Sequence, residues 1–224
     1  IALVGFLLFL AGIGLAVMSA SQGRPARGGV LLAVVGLLAG LLFSVISQGI
    51  LIVEPTQVAV VVNTLNGTLE EPARGAGTSV VIPVVQQYYV YPITQQQYTM
   101  AGRELEGQVR GNDAVQARTR DGQEISIDIT VLYAVNPAKV NTVHVRWLNG
   151  YQDNFVRPTV RGIVRETVSG FGAEEIYGLR RGEMEAEMQQ RLSTRFEEEG
   201  LTLTDLLVRD ISFSEQFRQA IEQK

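Results

Sequence analysis

Two long apolar runs open the chain and nothing like them recurs. Residues 1–18 contain no charged or strongly polar side chain, and at 1.5 Å per residue a helix of that length reaches about 27 Å, near the thickness of a bilayer's hydrocarbon core. A second apolar run covers 30–46, and Ile50, Leu51, Ile52 and Val53 extend it. Between the runs, residues 19–29 are rich in Ser, Gly, Pro and Arg, the composition of a short polar turn. The pattern predicts a transmembrane hairpin over 1–53, with spans at about 1–18 and 30–52. A re-entrant hairpin and a cleaved signal peptide ending near Ser19, Ala20 and Ser21 are the competing readings.

Beyond residue 54 the periodicity changes twice. Residues 57–63 are β-branched and strand-like, Asn66-Gly67 signals a tight turn, and 79–83, 87–94 and 96–100 read as further strands. Asn66-Gly67-Thr68 is also a glycosylation sequon, with the turn as the favoured reading. Ile125, Ile127, Ile129, Val131, Tyr133 and Val135 alternate strictly with smaller or polar residues, which predicts a strand with one buried face. After Asn136-Pro137 the period becomes helical. Val156, Val160, Ile163, Val164 and Val168 define one amphipathic helix. Met184, Met188, Leu192 and Phe196 define another over 179–199, closed by Gly200. A short helical turn at 173–177 lies between them, a strand is expected over 201–213, and a last helix starts near Ser214. The fold class is α+β: a β-rich half, then an αα-β half.

Charge sharpens the division. Residues 1–53 hold no Asp, Glu or Lys and only Arg24 and Arg27. The net charge is −4, from 19 basic and 23 acidic residues; without those two Arg, 17 stand against the same 23, or −6. An acidic domain lacks the basic footprint that nucleic-acid binding needs. Arg24 and Arg27 place the turn in the cytoplasm by the positive-inside rule, and hence the domain on the extracytoplasmic side of a two-span anchor. Gly36 and Gly40 form a G-x-x-x-G pair, and Gly12 with Ala16 a second small pair, which suits close helix packing in lipid. Tyr88, Tyr89 and Tyr91 are candidates for contact with the membrane interface or a neighbouring subunit.

Catalytic chemistry is scarce. Cysteine is absent, and His144 is the single histidine, so a Ser-His-Asp triad would have to use it. Ser79 and Ser169 lie in no G-x-S-x-G elbow, Lys139 and Lys224 are the only lysines, and neither a P-loop nor G-x-G-x-x-G is present. No cofactor or metal site is expected, and a membrane hydrolase is only a remote alternative. The charges of 180–199 read as a solvated helix face or as pairs between neighbouring subunits.

Four segments carry a family resemblance. They are the strand ending in Ile82-Pro83 with Tyr91-Pro92 beyond it; the run 118–128, which fits T-x-D-G-x-x-[IV]-x-[IV]-x through Thr119, Asp121, Gly122, Ile125 and Ile127; the helix 160–166 followed by 173–177; and 200–213 leading to Gln216-Phe217. In their order and spacing these resemble the SPFH (band 7) superfamily of stomatins, prohibitins and flotillins, with the tail at 212–217 most similar to prohibitins. The resemblance covers 54–224. It implies an SPFH domain over 54–213 and the start of a coiled-coil helix at 214–224. It also implies a membrane scaffold that self-associates, alone or with a paralogue, into a large ring or cage and organises a membrane microdomain. The alternative it implies is a regulatory partner of a membrane-bound AAA (FtsH-type) protease or other membrane complex. A two-span anchor departs from the single N-terminal segment usual in prohibitins. The chain, opening on Ile1 and stopping inside a helical pattern at Lys224, is expected to be part of a longer protein.

Overall fold

The computed structural model describes residues 2–213 apart from Arg24, Ala26 and Glu104. The expected helix at 214–224 lies outside the described residues. Helices α1 (Ala2–Ser21) and α2 (Arg27–Gln48) come first, followed by strands β1 (Ile50–Val53), β2 (Gln57–Asn63), β3 (Gly77–Val80), β4 (Gln86–Pro92), β5 (Gln96–Met100), β6 (Val115–Arg118) and β7 (Glu124–Val135). Helices α3 (Val140–Trp147), α4 (Arg157–Ser169), α5 (Ala173–Tyr177) and α6 (Arg181–Glu198) then lead to β8 (Leu201–Phe213). The chain divides into two compact units, one running to Pro55 with Val61–Tyr89, the other Thr56–Val60 with the chain from Val90 on.

In the first unit, the apolar run expected as one span to residue 52 is two elements. Helix α2 stops at Gln48, and Ile50–Val53 is a strand paired antiparallel with β3, with Ile50 opposite Val80 and Val53 opposite Gly77. Apolar content alone does not separate the end of a helix from a short strand, whereas β-branched Ile50, Ile52 and Val53 favour the sheet. The strand expected over 79–83 ends at Val80, and the chain turns at Pro83, which has no N–H to give to a ladder. Asn66-Gly67 makes the expected tight turn, with Gly67 at φ +68° and its N–H donating to the Asn63 carbonyl.

The second unit is built around β7. Its one edge carries β5 and then β6, end to end, and its other edge carries β8 along nearly the whole length. The alternating residues Ile125, Ile127, Ile129, Val131, Tyr133 and Val135 are all buried. From the helices, α4 buries Val160, Val164 and Val168, and α6 buries Met184, Met188, Leu192 and Phe196. Each such side chain, fully removed from water, contributes roughly 1.5–3 kcal/mol before entropy is charged against it. A π-helical turn at Gln152–Val156 precedes α4, and strand β6 had no counterpart in the sequence reading. Gly200, at φ +83°, ends α6, and a Cβ there would stand 2.7 Å from the Lys139 carbonyl oxygen.

The T-x-D-G run has a structural role. The turn between β6 and β7 locks onto the α4–α5 junction. Arg120 donates from its backbone N–H to the Phe171 carbonyl and from its guanidinium to the Gly170 carbonyl and Glu175. The Asp121 carboxylate accepts from the Thr119 hydroxyl and from the backbone N–H of Ala173, at the start of α5. The Thr119 bond first, then the Ala173 N–H and the nearby Arg120 charge, outweigh partial burial and hold the Asp121 carboxyl below its usual range. Gly122, at φ +84°, closes the turn. Two segments that carry the family resemblance are therefore bound to one another.

His144 lies on α3, buried, with its Nδ1 2.7 Å from the Tyr91 hydroxyl and the rings edge to face at 5.9 Å. Burial pushes its imidazole below the ordinary value of 6.5. The unfolded chain therefore takes up this proton at higher pH than the folded one. Its contribution to stability is whole above about pH 6.5 and is lost as pH falls from there toward the folded value. Denaturation followed by the fluorescence of Trp147 should show a midpoint that drops between about pH 7.5 and about pH 5.5. A Tyr91→Phe/His144→Phe double variant should lose most of that slope, and a flat wild-type profile would contradict the assignment.

Candidate membrane anchor and assembly surfaces

Helices α1 and α2 are apolar around their whole circumference. Phe6, Leu7, Leu31, Leu38 and Leu41 are among the large side chains on their outer faces, and all are exposed. A helix apolar on every side needs an apolar environment on every side. The stretch Arg27–Ser44 of α2 is long and apolar enough to cross a membrane, and α1 holds a shorter apolar stretch, Phe6–Ser21.

The two helices meet backbone to backbone. A Cβ on Gly12 would stand 2.3 Å from the Ala33 nitrogen, one on Gly29 2.3 Å from the Ala16 nitrogen, and one on Gly36 2.5 Å from the Phe9 nitrogen. The contacts ascend one helix as they descend the other, so the pair is antiparallel. Gly12, Ala16 and Gly36 thus lie in the α1–α2 contact, and Gly40 lines an apolar notch beside it with Phe6, Phe9, Gly36, Leu37 and Leu41. Small residues at these positions let dispersion contacts run the length of the pair without a hydrophobic driving force, which lipid does not supply.

The tyrosines of β4 do not act as a group. Tyr88 is exposed and Tyr89 half-buried, while Tyr91 is 1% exposed and held by His144. Tyr91 is therefore a core residue, out of reach of a headgroup or a neighbouring subunit.

Residues with catalytic potential are engaged structurally. The Ser169 hydroxyl donates to the Glu166 carbonyl, and Lys139 reaches Glu197. Among the described residues no group of three or more His, Asp or Glu is placed to hold a metal ion.

The charges of α6 pair within the chain. Arg180 meets Glu175 and Glu183, Arg181 meets Glu185, Arg191 meets Glu166 at 2.5 Å, and Arg195 meets Glu198. The Arg191–Glu166 and Arg195–Glu198 pairs line an open groove of about 760 Å³ between α4 and α6. Two further ion clusters had no sequence signal, because their members are far apart in the chain. Asp113, almost fully buried, accepts from Arg157 and Arg161, both at 2.5 Å, tying the entry to β6 onto α4. Glu199, also buried, accepts from Arg146 at 2.7 Å and from the Trp147 indole at 3.1 Å. Burial alone would raise the Glu199 carboxyl, but those two bonds and the charges of Arg146 and Arg195 hold it below its usual range.

An apolar helical pair followed directly by a mixed α and β domain defines a membrane-associated class of protein. Residues 51–224 match the SPFH domain / Band 7 family, and the chain belongs to that family. It is similar to prohibitin-2 of Gallus gallus, 22% identical over 83% of this chain and 57% of that protein. It is likewise similar to prohibitin-1 of Saccharomyces cerevisiae, 22% identical over 74% of this chain and 52% of that protein. With prohibitin 1 of Drosophila melanogaster it is 23% identical over 84% of this chain and 63% of that protein. The chain thus spans between about half and three-fifths of the length of these relatives.

The helix contact makes a direct prediction. Gly12→Val drives a branched side chain into the backbone of Ala33, whereas Gly14 has nothing within 4 Å of its Cβ position. Gly12→Val should destabilise the helix pair by about 1–3 kcal/mol, read as a lower thermal midpoint in mild detergent. Gly14→Val should leave the midpoint unchanged, and equal effects at the two positions would contradict the packing.

Proposed function

We propose that this chain is a membrane-anchored scaffold subunit that self-associates into a large ring or cage and thereby organises a patch of membrane. The observation that carries the reading is the direct junction of an apolar helical pair to an SPFH domain, with Gly49 alone between α2 and β1. In this reading α1 and α2 both cross the bilayer, packed through Gly12, Ala16, Gly36 and Gly40. Arg27 at the start of α2 keeps the turn on the cytoplasmic side and sets the domain on the opposite face. Confinement to a plane raises the effective concentration of the domains, so lateral contacts too weak for free solution become sufficient. The domain contributes shape and surface, with no catalytic role. The similarity to prohibitins supports this reading, and a coiled-coil helix beginning at 214 would add a second assembly element.

The test is the size and symmetry of particles released from membranes by mild detergent, using the full-length protein. Closed particles of many copies are the expected result, and a monomer would contradict the scaffold. A stoichiometric protease inside the particle would turn the reading toward a protease regulator.

A further inference from the structure

At the far end of β8 the core of the second unit reaches the surface. Strand β8 ends at Phe213, opposite Ile125 in the register. Ile125 is buried, whereas Phe213 is half-buried, and its ring meets that of Tyr177 edge to face at 6.0 Å. Tyr177 is the last residue of α5 and is 65% exposed. Two residues on, in the corner between α5 and α6, Leu179 is fully exposed.

A lone leucine in water is ordinary on a protein surface. This one belongs to a corner whose backbone is tied down. The Gly178 N–H donates to the Glu174 carbonyl and the Arg180 N–H to the Glu175 carbonyl. The Arg180 guanidinium pairs with Glu175 and Glu183 and lies 5.1 Å from the centre of the Phe171 ring. The residues on both sides of Leu179 are thus held in place while its own side chain meets solvent. Together with Tyr177 and the half-buried Phe213 it makes an apolar edge on an otherwise charged surface.

Chain continuity names the occupant of this edge. Residue 214 follows Phe213 directly, so the next segment of the chain starts at the corner. In that segment Phe217, Ala220 and Ile221 recur at three and four residues, and Phe213 falls four before Phe217 in the same series. Glu215, Arg218, Gln219, Glu222 and Gln223 fill the remaining faces and suit water. A helix begun at Ser214 carries its apolar stripe onward from the ring that Tyr177 already touches, with a rise of about 5.4 Å per turn. Such a stripe holds a helix in water only when it is packed against something apolar.

We infer that Tyr177 and Leu179, beside Phe213, form a seat for the stripe Phe217, Ala220 and Ile221 of the segment that follows in the same chain. The seat fixes the direction in which that segment leaves the domain, so that the α5–α6 corner and the first turns of the helix move as one piece. The inference goes beyond the scaffold reading, since it concerns a single chain and holds whether or not closed particles form.

The absence of cysteine from these 224 residues permits a direct test in the full-length protein in mild detergent. Two double variants, Leu179→Cys/Phe217→Cys and Leu179→Cys/Gln219→Cys, are treated with a short bismaleimide. Gln219 lies two residues beyond Phe217, about 200° around the expected helix. Mixing unlabelled with 15N-labelled subunits lets the masses of bridged peptides separate bridges within a chain from bridges between chains. The Phe217 pair should bridge within the chain several-fold more than the Gln219 pair. Equal yields would overturn the inference, and bridges mostly between chains would overturn it in favour of a second copy covering the corner. Because Phe217→Cys removes part of the stripe, amide hydrogen exchange gives a second reading with the stripe intact. Leu179→Asp should speed exchange at residues 215–221 several-fold, and Val145→Asp, at an exposed position on α3, should leave it unchanged. Exchange at 215–221 that is indifferent to Leu179→Asp would overturn the seat.

Discussion

The side chains on the outside of α1 and α2 set the terms for the rest of the molecule. Leucine, valine and phenylalanine project from every face of the pair, and burying that much apolar surface needs lipid, a detergent or another protein. Within the pair there is no hydrophobic gain from association in a hydrocarbon medium, so close backbone approach must supply the contact energy. Gly12, Gly29 and Gly36 are each set where a Cβ would collide with the opposite backbone.

The second unit follows a different logic. Its core is one long strand, β7, clasped by three others, with α4 and α6 supplying buried Val, Met, Leu and Phe. Ion clusters fasten the joints. Arg120 and Asp121 bind the β6–β7 turn to the α4–α5 junction, Asp113 binds Arg157 and Arg161, and Glu199 binds Arg146. Asp113 and Glu199 are buried, and a buried carboxylate stripped of its cationic partners is costly.

Much of this was legible in the sequence, and the exceptions have physical causes. The period of two over 125–135 and the period of 3.6 in α4 and α6 predict β7 and the helix faces directly, because one face of each element is buried and the other is not. The end of α2 was less legible, because Ile50–Val53 satisfies both an apolar helix and a strand until its partner Gly77–Val80 is known. Strand β6, only four residues long, is too short to show a period. Of the candidate site residues, Gly12, Ala16 and Gly36 lie in the helix contact and Gly40 beside it. Tyr91 differs, since it is buried and its hydroxyl meets the distant His144. The clusters around Asp113 and Glu199 join residues more than forty positions apart, a pairing that local spacing does not encode.

The proposed function requires α1 and α2 to be embedded in the bilayer. Washing membranes that contain the full-length protein with alkaline carbonate tests this most directly, since the treatment strips proteins held by charge or by partners and leaves those embedded in lipid. The chain should stay wholly with the membrane pellet and be released only by detergent. Release into the carbonate supernatant would contradict it.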